Sequence, residues 1–251
     1  MKLYLCANGF TQTQIDQAKA CVKSLEELSH PCSMSEELSN TLYGDDSYVC
    51  FPPQDCDLIV SLGGDGALLK AAKVAFDCGT PLFGINAGRV GYLCGMRLDE
   101  IDSFDRKFRH AERNICTMLE VDFEGQTYYA LNDIVISKTN FGKTADLSVF
   151  ADEKQLFEVR ADAVIVSTPT GSSAYNRSAG GPLVSEKVKA LVVTPVCSNT
   201  LTPAYIVNDD AKITVKVNHE DAGVYADSRF LGTYPDELTV RKSDKTIVLY
   251  K

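Results

Sequence analysis

The twenty residues from Asp57 to Phe76, DLIVSLGGDGALLKAAKVAF, decide the fold of the first part of this chain. DLIVSL is a continuous apolar run of strand length, and the pair Gly63–Gly64 ends it sharply. ALLKAAKVAF then has the pattern of a helix. A buried strand that turns directly into a helix is typical of a parallel sheet covered by helices, so we predict an α/β domain here.

The residues on either side of this stretch continue the alternation of predicted strands and helices. Lys2 to Ala7 is a short apolar run, Gln12 to Leu28 has apolar residues at helical spacing, and Pro81 to Ile85 is a further strand. The prediction is a Rossmann-like sheet with helices on both faces. Ligands of such sheets lie beyond the carboxyl ends of the strands, where residues 63–66 fall.

The pattern changes after a predicted helix from Asp99 to His110. The later segments rich in Val, Ile, Thr, Tyr and Phe are 115–123, 126–137, 145–150, 155–168, 190–194 and 211–217. They predict an antiparallel C-terminal β-sandwich. We place the boundary near residues 98–112, which gives domains 1–100 and 101–251. The last segment, Leu238 to Lys251, either completes the β domain or returns to the first.

The composition limits the classes of function. The chain of 251 residues has 45% hydrophobic and 24% charged residues, and it holds no apolar run long enough to span a bilayer. Its start, MKLYLCAN, is a poor signal peptide, so we expect a cytoplasmic protein without a membrane. The net charge of −9 argues against nucleic acid as a partner. An acidic protein that holds phosphates needs backbone N–H groups, helix N-termini or a metal ion.

The cysteines do not indicate a protein-held metal site. None of the nine is in a CxxC pair, and the three histidines lie far apart, so no zinc site is expected. The thiols are expected to be unpaired in a reducing compartment.

Two glycine-rich turns are candidate phosphate sites. In SLGGDGA, Gly63, Gly64 and Gly66 let the backbone approach a ligand, while Asp65 is placed at the tip of the turn. The alternative is that Asp65 only caps the helix. In GINAGRVGYL, Asn86 and Arg89 follow a strand, and Arg89 can donate to a phosphate. The alternative there is a plain loop with a surface arginine.

Two further segments offer polar groups. In LNDIVI, Asn132 and Asp133 stand at the start of a strand and can bind hydroxyls or an amine, although Asn-Asp is also a common turn pair.

The longest segment is DAVIVSTPTGSSAYNRSAGGPL, from Asp162 to Leu183. An apolar strand leads into small and hydroxyl-bearing residues suited to lining a cleft, with Thr168, Thr170, Ser172 and Ser173 as hydrogen-bond partners. Tyr175 can stack on a purine, or it is a half-buried core tyrosine.

In this order, GGDG, GINAGRVGYL, LND and STPTGSSAYNRSAGGP resemble the NAD kinase family, from about Asp57 to Leu183. GGDG alone is shared with lipid kinases and phosphofructokinases. The resemblance implies an N-terminal α/β domain, a C-terminal β-sandwich and an active site between them. It also implies a homo-oligomer, a dimer or tetramer, in which a neighbouring subunit helps complete the site.

The resemblance also assigns roles by motif position. Asp65 would be the catalytic carboxylate, bordered at the phosphate site by Gly63, Gly64 and Gly66. Asn132 and Asp133 would hold the diphosphate–ribose region of the dinucleotide. The residues that would contact the remaining groups of the dinucleotide are Asp162, Thr170, Ser173, Ala174, Tyr175, Ser178 and, more weakly, Asp227.

Three positions depart from the family pattern. GGDGT is here GGDGA, so Ala67 lacks a hydroxyl for a phosphate, a loss of about 1.5–3 kcal/mol. Asp133 stands where Glu is common, and the late Asp-Gly pair is Asp227-Ser228.

These motifs predict an NAD kinase that uses ATP or a related donor with Mg²⁺ or another divalent cation. The substrates would be NAD and ATP. The alternatives are another GGDG kinase, acting on a lipid or a sugar phosphate, and a non-catalytic dinucleotide-binding homologue.

Overall fold

A computed structural model describes residues 1–7, 11–88, 91–140, 142–218, 222–234 and 236–251. The chain divides into two compact units, one of Met1–Ile115 with Ile247–Lys251 and one of Cys116–Thr246. The last five residues therefore belong to the first unit. No helix in the described part of the chain is both long and apolar enough to cross a membrane.

The first unit is built on a parallel sheet. Its strands are β1 (Leu3–Ala7), β2 (Cys32–Met34), β3 (Leu58–Leu62), β4 (Leu82–Asn86) and β5 (Met96–Arg97). Its helices are α1 (Gln12–Glu27), α2 (Glu36–Tyr43), α3 (Asp65–Cys78) and α4 (Phe104–His110). The strand order is β2-β1-β3-β4, all parallel, with β5 beside β4.

Alternation along β3 explains why the sheet has helices on two faces. Leu58 and Val60 join a buried cluster with α1, α2 and α4, so Ile59 and Ser61 face the opposite side. Helix α3 contacts β1, β3 and β4 and contributes no residue to that cluster. All five residues of β3 are buried, as expected of a central parallel strand.

The second unit is a β-sandwich. Its strands are β6 (Arg113–Phe123, which begins in the first unit), β7 (Gln126–Ala130), β8 (Asp133–Lys138), β9 (Ala145–Ala151), β10 (Lys154–Ala161), β11 (Ala163–Ser167), β12 (Ala190–Val196), β13 (Tyr205–Asn208), β14 (Ile213–Asn218), β15 (Ala222–Ala226), β16 (Arg229–Tyr234) and β17 (Glu237–Tyr250). Between β11 and β12 lies a short helix, α5 (Tyr175–Ser178).

The two sheets of this unit enclose one apolar core. One sheet has the order β13-β12-β11-β8-β15-β16, and the other contains β10-β9-β14-β17, with β6 beside β17 and β7 beside β6. Alternate residues of both sheets, such as Ile134, Val164 and Ile213, are fully buried in the core between them. The predicted fold class, a Rossmann-like domain followed by a β-sandwich, is confirmed.

Strand β17 serves both units in turn. Residues 237–240 pair with β14, whereas Leu249 and Tyr250 pair in parallel with Leu82 and Phe83 of β4. The start of the last segment therefore completes the β domain, and its end returns to the first domain. Each of the two predicted alternatives holds for one end.

Several elements differ from the sequence prediction. The pair β2–α2 was not predicted, because β2 has only three residues and α2 only eight. The predicted strand 155–168 is two strands that meet at Asp162, and 126–137 is divided at residues 131–132. The predicted helix 99–110 begins as a 3₁₀ helix over Leu98–Ser103.

Candidate functional site

The diglycine turn gives α3 an open N-terminus. Gly63 has φ +142°, and a Cβ placed on it would lie 2.6 Å from Cβ of Ala67. Gly64 is the N-cap residue, and within the described part of the chain no side chain caps the helix. The N–H groups of Asp65 and Gly66 are therefore available to an anion, supported by the helix dipole, whereas Ala67 N–H donates to Gly64 O at 2.9 Å.

Asp65 is bound by the backbone of a different segment. Its Oδ2 accepts from Tyr92 N–H at 2.9 Å and its Oδ1 from Leu93 N–H at 3.2 Å. Gly91 allows this approach, since a Cβ there would lie 2.3 Å from Oδ1 of Asp65. The alternative role of Asp65 as the helix cap is wrong, because the helix starts at Asp65 and Gly64 is its cap.

The loop after β4 closes on itself. Oδ1 of Asn86, a buried residue, accepts from Gly88 N–H at 2.8 Å, so this amide shapes the loop. Arg89, the predicted phosphate donor, lies outside the described residues. Gly63, Gly64, Ala87 and Gly88 line a cavity of about 110 Å³ together with α1, at the carboxyl ends of β1, β3 and β4. The position agrees with the rule for ligands of parallel sheets.

In the second unit, Asp227 organises the start of β8. Its carboxylate accepts from the N–H groups of Leu131, Asn132 and Asp133 at 2.7, 2.8 and 3.3 Å. It is therefore used to hold the LND segment, a role that the motif did not indicate. Asp227 and Ser228 have φ +46° and +67°, as both central residues of a type I′ hairpin turn require.

We predict that Ser228→Gly stabilises the protein by about 0.5–1 kcal/mol, because glycine adopts positive φ without the steric cost that serine has. Urea unfolding of the two proteins measures this difference. Ser185→Gly, at a residue without positive φ, is the matched control and should not stabilise. A loss of stability in Ser228→Gly would contradict the prediction that the positive φ of Ser228 has a steric cost.

Asn132 and Asp133 present buried acceptors. Oδ1 of Asn132 has no hydrogen-bond partner among the residues that the structure describes, and the Asp133 side chain is buried. Burial, together with the nearby Asp227 carboxylate, raises the pKa of Asp133 to about 7. Burial also raises the pKa of Asp227, against the effect of its three backbone hydrogen bonds. A buried acceptor without a donor is rare in proteins and indicates a ligand or a water.

The raised pKa of Asp133 predicts pH-dependent stability. The folded protein holds this proton up to about pH 7, whereas an unfolded aspartate releases it near pH ~4, so stability falls as the pH rises between these values. Asp133→Asn should gain stability relative to the parent protein as the pH rises from about 4 to about 7, and the gap should then level off. Urea unfolding at each pH measures the gap. The exposed-site variant Asp210→Asn should keep the parent slope, and a constant gap for Asp133→Asn would contradict the prediction.

The turn after β11 is packed against the same LND segment. Thr168 donates to Leu131 O at 2.6 Å and accepts from Gly171 N–H at 3.0 Å. A Cβ on Gly171 would lie 2.0 Å from the carbonyl oxygen of Asn132. Ser172 donates to Pro169 O and accepts from Val184 N–H. Thr168 and Ser172, predicted to line a cleft, instead fix the turn internally.

Asn176 is a buried residue that the sequence analysis did not select. Its Nδ2 donates to Ser172 O and Pro182 O, both at 3.0 Å, and its Oδ1 accepts from Thr194 Oγ1 at 2.7 Å. Gly181 is required beside it, since a Cβ there would lie 2.0 Å from Asn176 Oδ1. An asparagine inside a run of small residues was the available signal.

The remaining predicted residues of this segment differ in exposure. Tyr175 and Ser178 are exposed, Ser173 and Ala174 are half-buried, and Thr170 is buried. Ser173 donates to Thr170 O at 3.3 Å.

Tyr175 shares one environment with Asp162 and Asp133. The pKa of Tyr175 is raised above its ordinary value. Partial burial has the largest effect, and the charges of Cys197, Asp162 and Asp133 have smaller effects in the same direction. Asp162 itself is paired with Lys138, a half-buried cation that the sequence analysis missed.

The predicted residues fall into one set in each unit, which we call the first and second clusters. The first cluster is Gly63, Gly64, Asp65, Gly66 and Asn86, and the second is Asn132, Asp133, Asp162, Thr170, Ser173, Ala174, Tyr175, Ser178 and Asp227. Within the second cluster, hydrogen bonds join Asn132 and Asp133 to Asp227 and Ser173 to Thr170. An α/β unit with an open helix N-terminus beside a carboxylate, followed by a β-sandwich with buried acceptors, defines a nucleotide-binding kinase of two domains.

Comparison with known proteins gives the family. The model of the ATP-NAD kinase N-terminal domain matches residues 3–112, and that of the ATP-NAD kinase C-terminal domain matches residues 131–251. The chain belongs to the NAD kinase family. The predicted family and class of enzyme are confirmed.

Individual relatives agree with this assignment. The NAD kinase of Carboxydothermus hydrogenoformans is 39% identical over 199 residues, which are 74% of this chain and 71% of that protein. An NAD kinase from Archaeoglobus fulgidus, solved in complex with ATP, has a TM-score of 0.81 at 26% identity and covers 100% of this chain and 94% of its own. Yeast NADH kinase complexed with NADH has a TM-score of 0.85 at 23% identity. The match covers 100% of this chain and 83% of the yeast chain, and it supports the fold alone.

Proposed function

We infer that this protein transfers the γ-phosphoryl group of ATP to the adenosine-ribose 2′-hydroxyl of NAD, giving NADP and ADP. The 2′-oxygen forms a bond to the γ-phosphorus, the bond from that phosphorus to the β,γ-bridging oxygen breaks, and the hydroxyl proton leaves. The observation that carries this proposal is Asp65, whose carboxylate is fixed by two backbone amides beside the open N-terminus of α3.

Asp65 aligns the attacking hydroxyl. Each carboxylate oxygen accepts one amide N–H, which leaves lone pairs free to accept the 2′-hydroxyl proton. Phosphoryl transfer has a loose transition state, so positioning and charge stabilisation supply most of the catalysis. Gly63, Gly64 and Gly66 let the backbone approach the donor phosphates, and the helix dipole favours their charge.

The second cluster would hold the dinucleotide. The unpaired Oδ1 of Asn132 and the Asp133 carboxylate are acceptors for ribose hydroxyls or an exocyclic amine. The exposed ring of Tyr175 offers a stacking surface for a base. Asp162, Thr170, Ser173, Ala174, Ser178 and Asp227 remain proposed contacts or supports of this site.

The divalent cation is proposed as part of the substrate, Mg-ATP. No group of three or more His, Cys, Asp or Glu among the described residues fits a metal ion, so we assign no residue to it. Mg²⁺ usually binds through substrate phosphates with few protein ligands.

The test is NADP formation by the purified protein with Mg-ATP, measured with an NADP-specific dehydrogenase. We expect turnover with NAD and none with a diacylglycerol or a sugar phosphate. Saturable NAD binding without turnover would favour the non-catalytic homologue, and turnover only on a lipid or sugar phosphate would favour another GGDG kinase. Either outcome overturns the proposal.

We also propose a homo-oligomer, a dimer or tetramer, in the cytoplasm. Ile206 and Phe230, on the two edge strands of the six-stranded sheet, are more than half exposed, and an edge strand can pair with a strand of a second copy. All nine cysteines are unpaired, which suits a reducing compartment. Light scattering that gives a mass of 27.4 kDa, one chain, would contradict the oligomer.

A further inference from the structure

We propose that Lys251 is a positioning residue for Asp65, acting through one peptide group of the loop between them. This inference rests on the proposed function. Nζ of Lys251 donates to Tyr92 O at 3.5 Å, and Leu93 N–H donates to Oδ1 of Asp65 at 3.2 Å. The carbonyl of Tyr92 and the N–H of Leu93 belong to the same peptide unit. An ammonium and a carboxylate are therefore bound to its two ends.

The physical effect is polarisation and alignment. A cation at a carbonyl oxygen draws electron density from the peptide N–H, which becomes a stronger donor to the carboxylate on its other side. The same contact fixes the rotation of the peptide plane, and with it the direction of the bond to Asp65. The ammonium thus supports the Asp65 carboxylate without touching it.

The backbone around Lys251 holds this residue in place. Lys251 N–H donates to Glu112 O at 3.1 Å, and Glu112 N–H donates to Lys251 O at 2.7 Å. Directly before it, Leu249 and Tyr250 pair with β4. An exposed lysine on a free loop would lose much side-chain entropy in such a bond, whereas here the Cα of Lys251 is already fixed.

Gly95 allows the end of β17 to approach the loop of residues 91–95, which binds Asp65. A Cβ on Gly95 would lie 3.0 Å from Cα of Lys251 and 2.4 Å from the Phe83 ring. Gly95 N–H also donates to Gly84 O at 3.0 Å, which ties the end of the loop to β4. The close approach therefore places the lysine stem beside residues 92–94, the part of the loop that binds Asp65.

The test is steady-state kinetics of Lys251→Met, Lys251→Arg and the control Lys154→Met. Lys154 is exposed on β10 in the other unit. We expect Lys251→Met to lower kcat for NADP formation about three- to tenfold, the scale of one ordinary hydrogen bond because this contact is long and exposed, with the KM for NAD unchanged. Lys251→Arg should restore most of kcat, since arginine also donates to a carbonyl, and Lys154→Met should match the parent protein.

The outcomes separate this inference from the proposed function. A parent protein that makes no NADP contradicts the proposed function itself. An active parent with full kcat in Lys251→Met contradicts the positioning role. A loss of kcat in Lys251→Met that Lys251→Arg does not restore also contradicts the positioning role. So does a loss of kcat that is accompanied by a fall in melting temperature, because it indicates a purely structural residue.

Discussion

Replacement of Asp65 by alanine should lower kcat for NADP formation by 10²–10⁴-fold, about the contribution of a positioned proton acceptor. The variant loses the group that aligns the 2′-hydroxyl, and the Tyr92 and Leu93 amides lose their acceptor. The acceptors proposed for NAD, Asn132 and Asp133, are untouched. NAD binding measured by calorimetry should therefore remain within a few fold of the parent protein.

Asp77→Ala is the matched control for this variant. Asp77 lies in the last turn of the same helix, in an exposed ion pair with Lys73 at 2.7 Å. Such pairs contribute little to stability, so the control should keep both kcat and the melting temperature. An Asp65→Ala variant that retains more than a tenth of the parent kcat would contradict the catalytic assignment.

Gly171→Ala should have the second large effect, on both stability and NAD use. Its Cβ would lie 2.0 Å from the backbone oxygen of Asn132, and neither the turn nor β8 can yield without breaking the bonds of Thr168. We expect a loss of about 3 kcal/mol, the upper part of the range for overpacking. We also expect kcat/KM for NAD to fall at least about tenfold, because Asn132 is displaced.

Gly142→Ala controls for the substitution itself. Among the described residues, a Cβ on Gly142 meets only Oδ1 of Asn140, at 3.4 Å, and the φ of Gly142 is not in the left-handed region. It should change stability by less than about 0.5 kcal/mol. Urea unfolding and NAD kinetics of both variants decide the matter. Parent-like values in Gly171→Ala would show that the turn and the LND segment do not depend on each other.

The elements that could be predicted from the sequence are those marked by a pattern of neighbouring residues. A long buried strand followed by two glycines and a helix needs no distant partner to be recognised, and β3, α3 and β4 appear within a few residues of their predicted bounds. The same holds for β11, where AVIV leads into small and hydroxyl residues. The fold class followed from this local order.

The contacts that complete the clusters were not predictable from local pattern. Asp65 is bound by residues 27 and 28 positions away, and Asp227 by residues 94 to 96 positions away. Such pairs depend on which loops the sheet brings together, and residue type alone does not specify them. Lys251, which acts across 159 positions, is the most distant case.

The structure also explains which residues of a motif remain available for binding. STPTGSSAY was selected for its hydroxyl groups, yet Thr168 and Ser172 use theirs inside the turn. Asn176, not selected, holds three hydrogen bonds at the centre of the segment. A polar residue in a functional motif can therefore build the site and leave contact with the ligand to its neighbours.

We expect the phosphoryl group to be transferred to the adenosine-ribose 2′-oxygen and to no other oxygen. Phosphorus NMR of the products from ATP and NAD tests it most directly, since a 2′-phosphomonoester is distinct from the diphosphate and from inorganic phosphate. We predict one equivalent of 2′-phosphorylated dinucleotide for each ADP formed. Release of inorganic phosphate with unchanged NAD, or a phosphomonoester at another oxygen, would contradict the account.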